Sequence, residues 1–133
     1  MKTQVIVDTS VWIDFFRGLS FPPVHMLMEI MNTNAIIIPP VIVQEVLQGV
    51  AEKKMADTIE SLFFGFQFIN YDSYEAALGA AELYRKMRSK GVTVRSSNDA
   101  QIAWLCIKFN LSVLHKDRDF DNIAKYTSLK IYK

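Results

Sequence analysis

Residues 5–18 read VIVDTSVWIDFFRG. Val5, Ile6 and Val7 form a β-branched run, and Asp8, Thr9 and Ser10 are helix-capping types, whose side-chain oxygens accept from the orphan amides of a first turn. Val11, Trp12, Ile13, Phe15 and Phe16 follow at helical spacing, so the stretch predicts strand, turn, helix. Gly18 and the pair Pro22 and Pro23 stop that helix, and Val24, Met26, Leu27, Met28, Ile30 and Met31 predict a second one, ended by Asn32 and Asn34. The alternation then repeats. Ala35 to Ile38 reads as a buried strand broken by Pro39 and Pro40, with Pro40 opening a helix through Val50 that carries Glu45. Further helices are expected over 53–64, from Tyr74 to Lys90 closed by Gly91, from Asp99 to Phe109 behind a cap at Ser96 to Asn98, and near Asn122 to Lys125. Strands are expected at Gln67 to Ile69, Leu111 to Leu114 and Leu129 to Tyr132. Repeated strand and helix predict an α/β fold of three layers, α/β/α, around a central, mainly parallel sheet.

The 133 residues are 50% hydrophobic and 22% charged, which excludes a disordered or fibrous chain. A chain of this size buries roughly 68% of its unfolded surface, enough for a core without disulfide or metal staples. With no low-complexity stretch or repeat, one domain over 1–133 is expected. Fifteen Lys and Arg against fourteen Asp and Glu leave a net charge of +1, so any nucleic-acid contact must be local. Cys106 is the only cysteine, which excludes an internal disulfide and a thiolate zinc cluster. The start turns acidic after three apolar residues and no apolar run approaches the ~18 residues of a membrane span, so a cytoplasmic protein with no membrane association is expected.

Ligands of open α/β sheets bind beyond the carboxyl ends of the strands, where Asp8 and Asp117 fall. Each reads equally as a helix cap or turn residue. Glu45 lies in an otherwise apolar stretch, and Asp99 stands in the first turn of a helix, where it also answers the dipole. If all four met at one sheet edge, each pair about 4 Å apart would repel by about 4 kcal/mol at an effective dielectric of about 20. Such a cluster requires a cation, and hard carboxylate oxygens without His or Cys select Mg²⁺ or Mn²⁺ over Zn²⁺.

Four motifs in order, VIVDTSVWIDFFRG (5–18), IPPVIVQEVLQG (38–49), NDAQIAWLC (98–106) and VLHKDRDFDNIA (113–124), resemble the PIN-domain ribonucleases, and most closely the VapC-type toxins of type II toxin–antitoxin systems. The resemblance covers nearly the whole chain. It implies that Asp8, Glu45, Asp99 and Asp117 are the catalytic acids that hold Mg²⁺ or Mn²⁺, with Ser10 the small hydroxyl residue beside them. Asp119 is an alternative to Asp117, which is favoured as nearer the strand end; Asp121 is expected to cap the short helix that follows. Asp14 also recurs in toxins of this kind, and reads equally as an exposed helix carboxylate. RNA is the implied substrate, hydrolysed by a metal-activated water, and the number of ions stays open. The implied partners are a second copy of the chain and a VapB-type antitoxin whose tail covers the first quarter and the active site.

Arg85, Lys86, Arg88 and Lys90 fall on and just after one helix and are candidates to guide phosphates, with Lys86 and Lys90 reading chiefly as a solvated face, whereas Arg95, four residues before Asp99, is expected to contact substrate. Lys116 and Arg118 beside Asp117 are placed to guide phosphates. Trp12 and Phe16 are assigned to the core, and Phe15, Phe21, Met26, Met28 and Met31 to an interface. His25 is expected on a helix surface, His115 at a strand end rather than on a metal, and Cys106 and Met87 in packing. A phospho-acceptor receiver domain would want adjacent acids after the first strand, where Thr9 follows Asp8, and a haloacid-dehalogenase-like phosphatase would want Asp where Ser10 stands. A housekeeping RNA-processing PIN nuclease and a catalytically silent PIN binding module are the other readings; a silent module would normally have lost one of the acids.

Overall fold

Val5, Ile6 and Val7 form β1 (Val5–Val7), which lies inside a four-stranded sheet in a computed structural model describing residues 3–133. The strand order is β2 (Ile36–Ile37), β1, β3 (Ser112–Leu114), β4 (Lys130–Ile131), and every pairing is parallel. All residues of β1, β2 and β3 are buried, as strands covered on both faces must be. Val5 pairs with Ser112 and Val7 with Leu114, and the amide of Asp8 donates to the Leu114 carbonyl at 2.9 Å. The chain segments that follow β1 and β3 therefore leave the sheet at one level, side by side.

Seven helices flank the sheet among the described residues: α1 (Thr9–Phe16), α2 (Pro22–Ile30), α3 (Pro40–Gln48), α4 (Lys53–Phe64), α5 (Ser73–Ser89), α6 (Ser97–Phe109) and α7 (Arg118–Ala124). The expected three-layer arrangement is the one found. Local chemistry sets the boundaries. Ser96 Oγ accepts from the Asn98 amide at 3.2 Å to open α6, and Asn110 closes it in the left-handed region at φ 56°. Gly91, at φ 77°, follows α5 where a side chain would be strained.

Two boundaries differ from expectation. Gln67 to Ile69 is not a strand: Gln67 makes a single parallel bridge to Ile37, its carbonyl accepting from Ile38 N at 2.9 Å, before the chain leaves the edge with Phe68 exposed. The last helix begins at Arg118 rather than near Asn122, because Asp117 caps it by accepting from the Asp119 amide at 3.0 Å and Phe120 and Ile123 bury one face. Asp121, expected as that cap, lies inside the first turn instead.

Trp12 is fully buried, edge-on to Phe63 at 5.0 Å between ring centroids and stacked on half-buried Phe16 at 5.9 Å, which ties α1 to α4. Phe15, Met26 and Met31 are half-buried against the same core, so of the residues assigned to an interface only Phe21 and Met28 are exposed, at 45% and 58%. The α5–α6 contact depends on Gly79. A Cβ built there lies 1.9 Å from Nε1 of Trp104. Gly79→Ala gains helix propensity of about 1 kcal/mol but forces the indole out, at about 1–3 kcal/mol for overpacking. The expected net change is a loss of up to about 2 kcal/mol by urea unfolding, and a raised midpoint would show that Trp104 swings aside freely.

Candidate metal centre

The level at which β1 and β3 end collects the acids. Asp8 is 5% exposed and caps α1, its Oδ2 accepting from Ser10 Oγ at 2.6 Å and from Ser10 N at 3.4 Å. Burial pushes its carboxyl above the usual range, and the Ser10 hydrogen bonds oppose that rise. Cap and candidate ligand are thus one residue. Glu45 reaches the site from α3, and Thr9 Oγ1 donates to its Oε1 at 2.8 Å. Asp99 stands in the first turn of α6 and Asp117 at the start of α7. Carboxylate oxygens of Asp99, Asp117 and Asp119 lie within 4.8 Å of one another. Burial, and then the charges of Asp8, Asp117, Glu45 and Asp119, push the Asp99 carboxyl up to about 7. The close grouping thus holds two of the four expected acids, Asp99 and Asp117, together with Asp119, while Asp8 and Glu45 lie outside it and bear on Asp99 through their charge.

These residues fit a hard divalent cation. The donors are carboxylate oxygens alone, and the field that holds a proton on Asp99 is the field a cation would relieve. Asp119, 4% exposed, is engaged from one side, because its Oδ2 accepts from Arg95 Nε at 3.1 Å and Arg95 N at 3.2 Å. Arg95 Nη2 donates to Asp117 Oδ1 at 2.6 Å. An open cavity of about 390 Å³ fronts Asp117, lined by Ser10, Arg95, Lys116 and Arg118, which is where the sequence placed the phosphate-guiding cations. Arg85, Lys86, Arg88 and Lys90 stay exposed on or beside α5 and do not line it.

Asp14 is 4% exposed and receives Lys116 Nζ at 2.6 Å, which corrects the reading of it as an exposed helix carboxylate. The pair ties α1 to the segment that delivers Asp117, and Lys116 also lies 5.4 Å from the Phe21 ring centroid. His115 follows β3 as expected, with its side chain 5% exposed and Nε2 3.1 Å from Asp121 Oδ1, apart from the acid cluster. His25 is exposed on α2. Cys106 is buried, its thiol pushed up to about 12 by burial, as a packing residue would be. Sequence reasoning missed Thr9 as the group orienting Glu45, and its one signal was a hydroxyl between Asp8 and Ser10. It missed the Asp14–Lys116 pair because 102 positions separate the partners.

A PIN-domain family model matches residues 5–126. The chain is 34% identical over 129 residues to ribonuclease VapC11 of Mycobacterium tuberculosis, covering 96% of each. It is 25% identical over 131 residues to ribonuclease VapC1 of Methanocaldococcus jannaschii, covering 98% of this chain and 88% of that one. Among solved structures, it is similar in fold to VapBC2 from Rickettsia felis bound to a DNA fragment from their promoter, with TM-score 0.77 and 17% identity over 98% of both chains. It is similar also to VapBC-1 from nontypeable Haemophilus influenzae, with TM-score 0.74 and 14% identity over 98% of both.

The raised Asp99 pKa gives a signed prediction. Unfolded, Asp99 titrates near 3.8; folded and ion-free, near 7. Between those values the folded state alone holds the proton, so stability is greatest below about pH 4 and falls as pH rises to 7, with the full penalty present above. Asp99→Asn therefore stabilises the ion-free protein at pH 8, by about 1–2 kcal/mol once solvent screening of this half-buried group is counted, with no gain at pH 4. Denaturant unfolding in chelator at the two pH values checks it, and a destabilised variant at pH 8 would mark Asp99 as structural.

Proposed function

The chain belongs to the PIN-domain family, among its VapC ribonucleases, and we propose that it is the toxin of a VapBC-type pair, an endoribonuclease that hydrolyses RNA phosphodiester bonds with Mg²⁺ or Mn²⁺. The observation that carries this is the grouping of Asp99, Asp117 and Asp119 within 4.8 Å, with the charges of Asp8 and Glu45 bearing on Asp99, beyond the carboxyl ends of the two inner strands. Asp8, Glu45, Asp99 and Asp117 are the catalytic, metal-holding set. Arg95 holds one oxygen of each of Asp117 and Asp119, and Asp117 is favoured as the ligand of the two because its side chain lines the open cavity whereas that of Asp119 is buried. When bound, the ion lowers the pKa of a water and neutralises charge developing on the phosphate.

The remaining residues orient and attract. Thr9 fixes the carboxylate of Glu45, Ser10 that of Asp8, and the Asp14–Lys116 pair the approach to Asp117. Ser10 and Arg95, together with Lys116 and Arg118, line the cavity through which a phosphate reaches the acids, and they are the substrate-binding groups of this reading. With an ion held by these acids a water would serve as the nucleophile, so no side chain of this set need form a covalent intermediate. Residues 1–133 act as one domain, in the cytoplasm. No helix among the described residues is long and apolar enough to cross a membrane.

The partners of this reading are a second copy of the chain and a VapB-type antitoxin, the antitoxin being supported by the similarity in fold to VapBC complexes. Exposed Phe21 and Met28 offer the antitoxin an apolar seat beside the site, since Phe21 touches Lys116. A second apolar feature, a groove of about 250 Å³ between α1, α3 and α4, is lined by Ile13, Phe16, Val46 and Ile59 and includes neither Phe21 nor Met28.

Asp8→Asn is expected to fold and to lose Mn²⁺-dependent cleavage of RNA by about 100-fold or more, equivalent to about 2.7 kcal/mol of barrier. Wild-type cleavage by the folded variant would remove Asp8 from the site. Phe21→Ser with Met28→Ser should leave the fold and the cleavage intact while weakening antitoxin binding about tenfold, read by titration of the purified partner. Unchanged binding would place the interface elsewhere, and cleavage that no antitoxin restrains would favour a housekeeping nuclease.

A further inference from the structure

Arg95 does more than line the cavity. Its guanidinium spans two carboxylates of one short segment, with Nη2 on Asp117 Oδ1 at 2.6 Å and Nε on Asp119 Oδ2 at 3.1 Å. Its backbone amide independently holds Asp119 Oδ2 at 3.2 Å. The two halves of this arrangement differ in freedom. The Asp119 side chain is 5% exposed and anchored to the backbone of residue 95, whereas the Arg95 side chain is 62% exposed and the Asp117 side chain 30%. The guanidinium can leave Asp117 by side-chain rotation alone, with the main chain of the connection between α5 and α6 still pinned to α7.

Asp117 is also one of three carboxylates whose oxygens lie within 4.8 Å of one another, the grouping that fits a divalent ion. An ion ligated there and a guanidinium 2.6 Å from the same carboxylate are like charges at short range, and on this exposed side of the site their repulsion is present at low salt and screened as salt rises. Lys116, the neighbouring cation, is already neutralised by Asp14 and does not enter this competition.

We infer that Arg95 is a positioning residue that acts as a tethered competitor of the divalent ion for Asp117, so that loading the site and releasing the guanidinium into the cavity are one coupled event. The inference rests on the metal-site reading above. It gives Arg95 two positions: on Asp117 while the site is ion-free, and free to meet a phosphate once an ion is held. Asp119 is then the fixed end of the device.

The test is calorimetric titration of Mn²⁺ into the full chain, comparing wild type, Arg95→Gln and Arg95→Lys, with thermal denaturation in chelator and in saturating Mn²⁺. Arg95→Gln keeps the backbone amide on Asp119 and removes only the charged fork. It is expected to bind Mn²⁺ roughly three- to tenfold tighter than wild type at low salt, with the difference shrinking as salt rises. It should also be less stable in chelator and gain more from Mn²⁺. Arg95→Lys, which keeps the charge but cannot span both carboxylates, should lie between the two, and gives the same comparison if Arg95→Gln does not fold. Equal or weaker Mn²⁺ binding by the folded variant overturns the inference, weaker binding meaning that Arg95 preorganises Asp117. If the wild type itself takes up no Mn²⁺, the metal-site reading fails and this inference with it.

Discussion

Like-charge repulsion among Asp8, Glu45, Asp99, Asp117 and Asp119 is the interaction that the rest of the fold has to withstand. Two carboxylates about 5 Å apart repel by about 3 kcal/mol at an effective dielectric of about 20, so Asp99, Asp117 and Asp119 together already reach what a small domain has in reserve, before the charges of Asp8 and Glu45 are added. The protein leaves that strain where it is and does not disperse it. Asp99 takes the largest share, since its carboxyl sits behind partial burial and faces all four others, which is why it holds its proton to about pH 7. Strands that are wholly buried and paired in parallel make a platform stiff enough to bear it.

Three of the acids also sit at helix N-termini, which explains how the cluster forms without unravelling its surroundings. Asp8 caps α1 and Asp117 caps α7, both at the ends of adjacent strands; Asp99 lies in the first turn of α6. Helix N-termini favour negative charge and supply amides to carboxylates, so three of the acids sit where the main chain compensates them in part. The cap reading and the ligand reading of Asp8 and Asp117 are therefore the same physical fact. A residue type chosen for one role satisfies the other, because both ask for a short carboxylate at the carboxyl end of a buried strand.

Much of this is legible in the sequence because it is local. The runs Val5 to Val7 and Ala35 to Ile38, the prolines at 39 and 40, and the cap at Ser96 act over a few residues, and the structure places elements where those signals point. What the chain does not display is set by partners far away in sequence. Asp14 looks like an exposed carboxylate until Lys116, 102 residues on, is folded against it. Gln67 to Ile69 has the composition of a strand, but the edge of β2 offers it only one bridge. Asp117 and Asp119 cannot be told apart by spacing, and only the amide and guanidinium of Arg95 show that their surroundings differ. The last helix was displaced for a related reason, since the burial of Phe120 and Ile123 extends it back to the Asp117 cap.

The distribution of the nearby cations is what separates this cluster from a structural ion-pair network. Lys116 is spent on Asp14, and among the described residues Arg95 is the cation in contact with the acids, through a side chain that is mostly in solvent. A network built for stability would surround each carboxylate with fixed partners and leave none with a raised pKa. Here Asp8 and Asp99 are both pushed upward while the nearest positive charge touches only Asp117 and Asp119. The folded chain thus carries more negative charge among these acids than Arg95 offsets, beside a cavity lined by Arg95, Lys116 and Arg118, and the half-buried Asp14–Lys116 pair steadies the wall of that cavity. An arrangement that accepts this cost in the fold is one whose missing charge arrives from outside it.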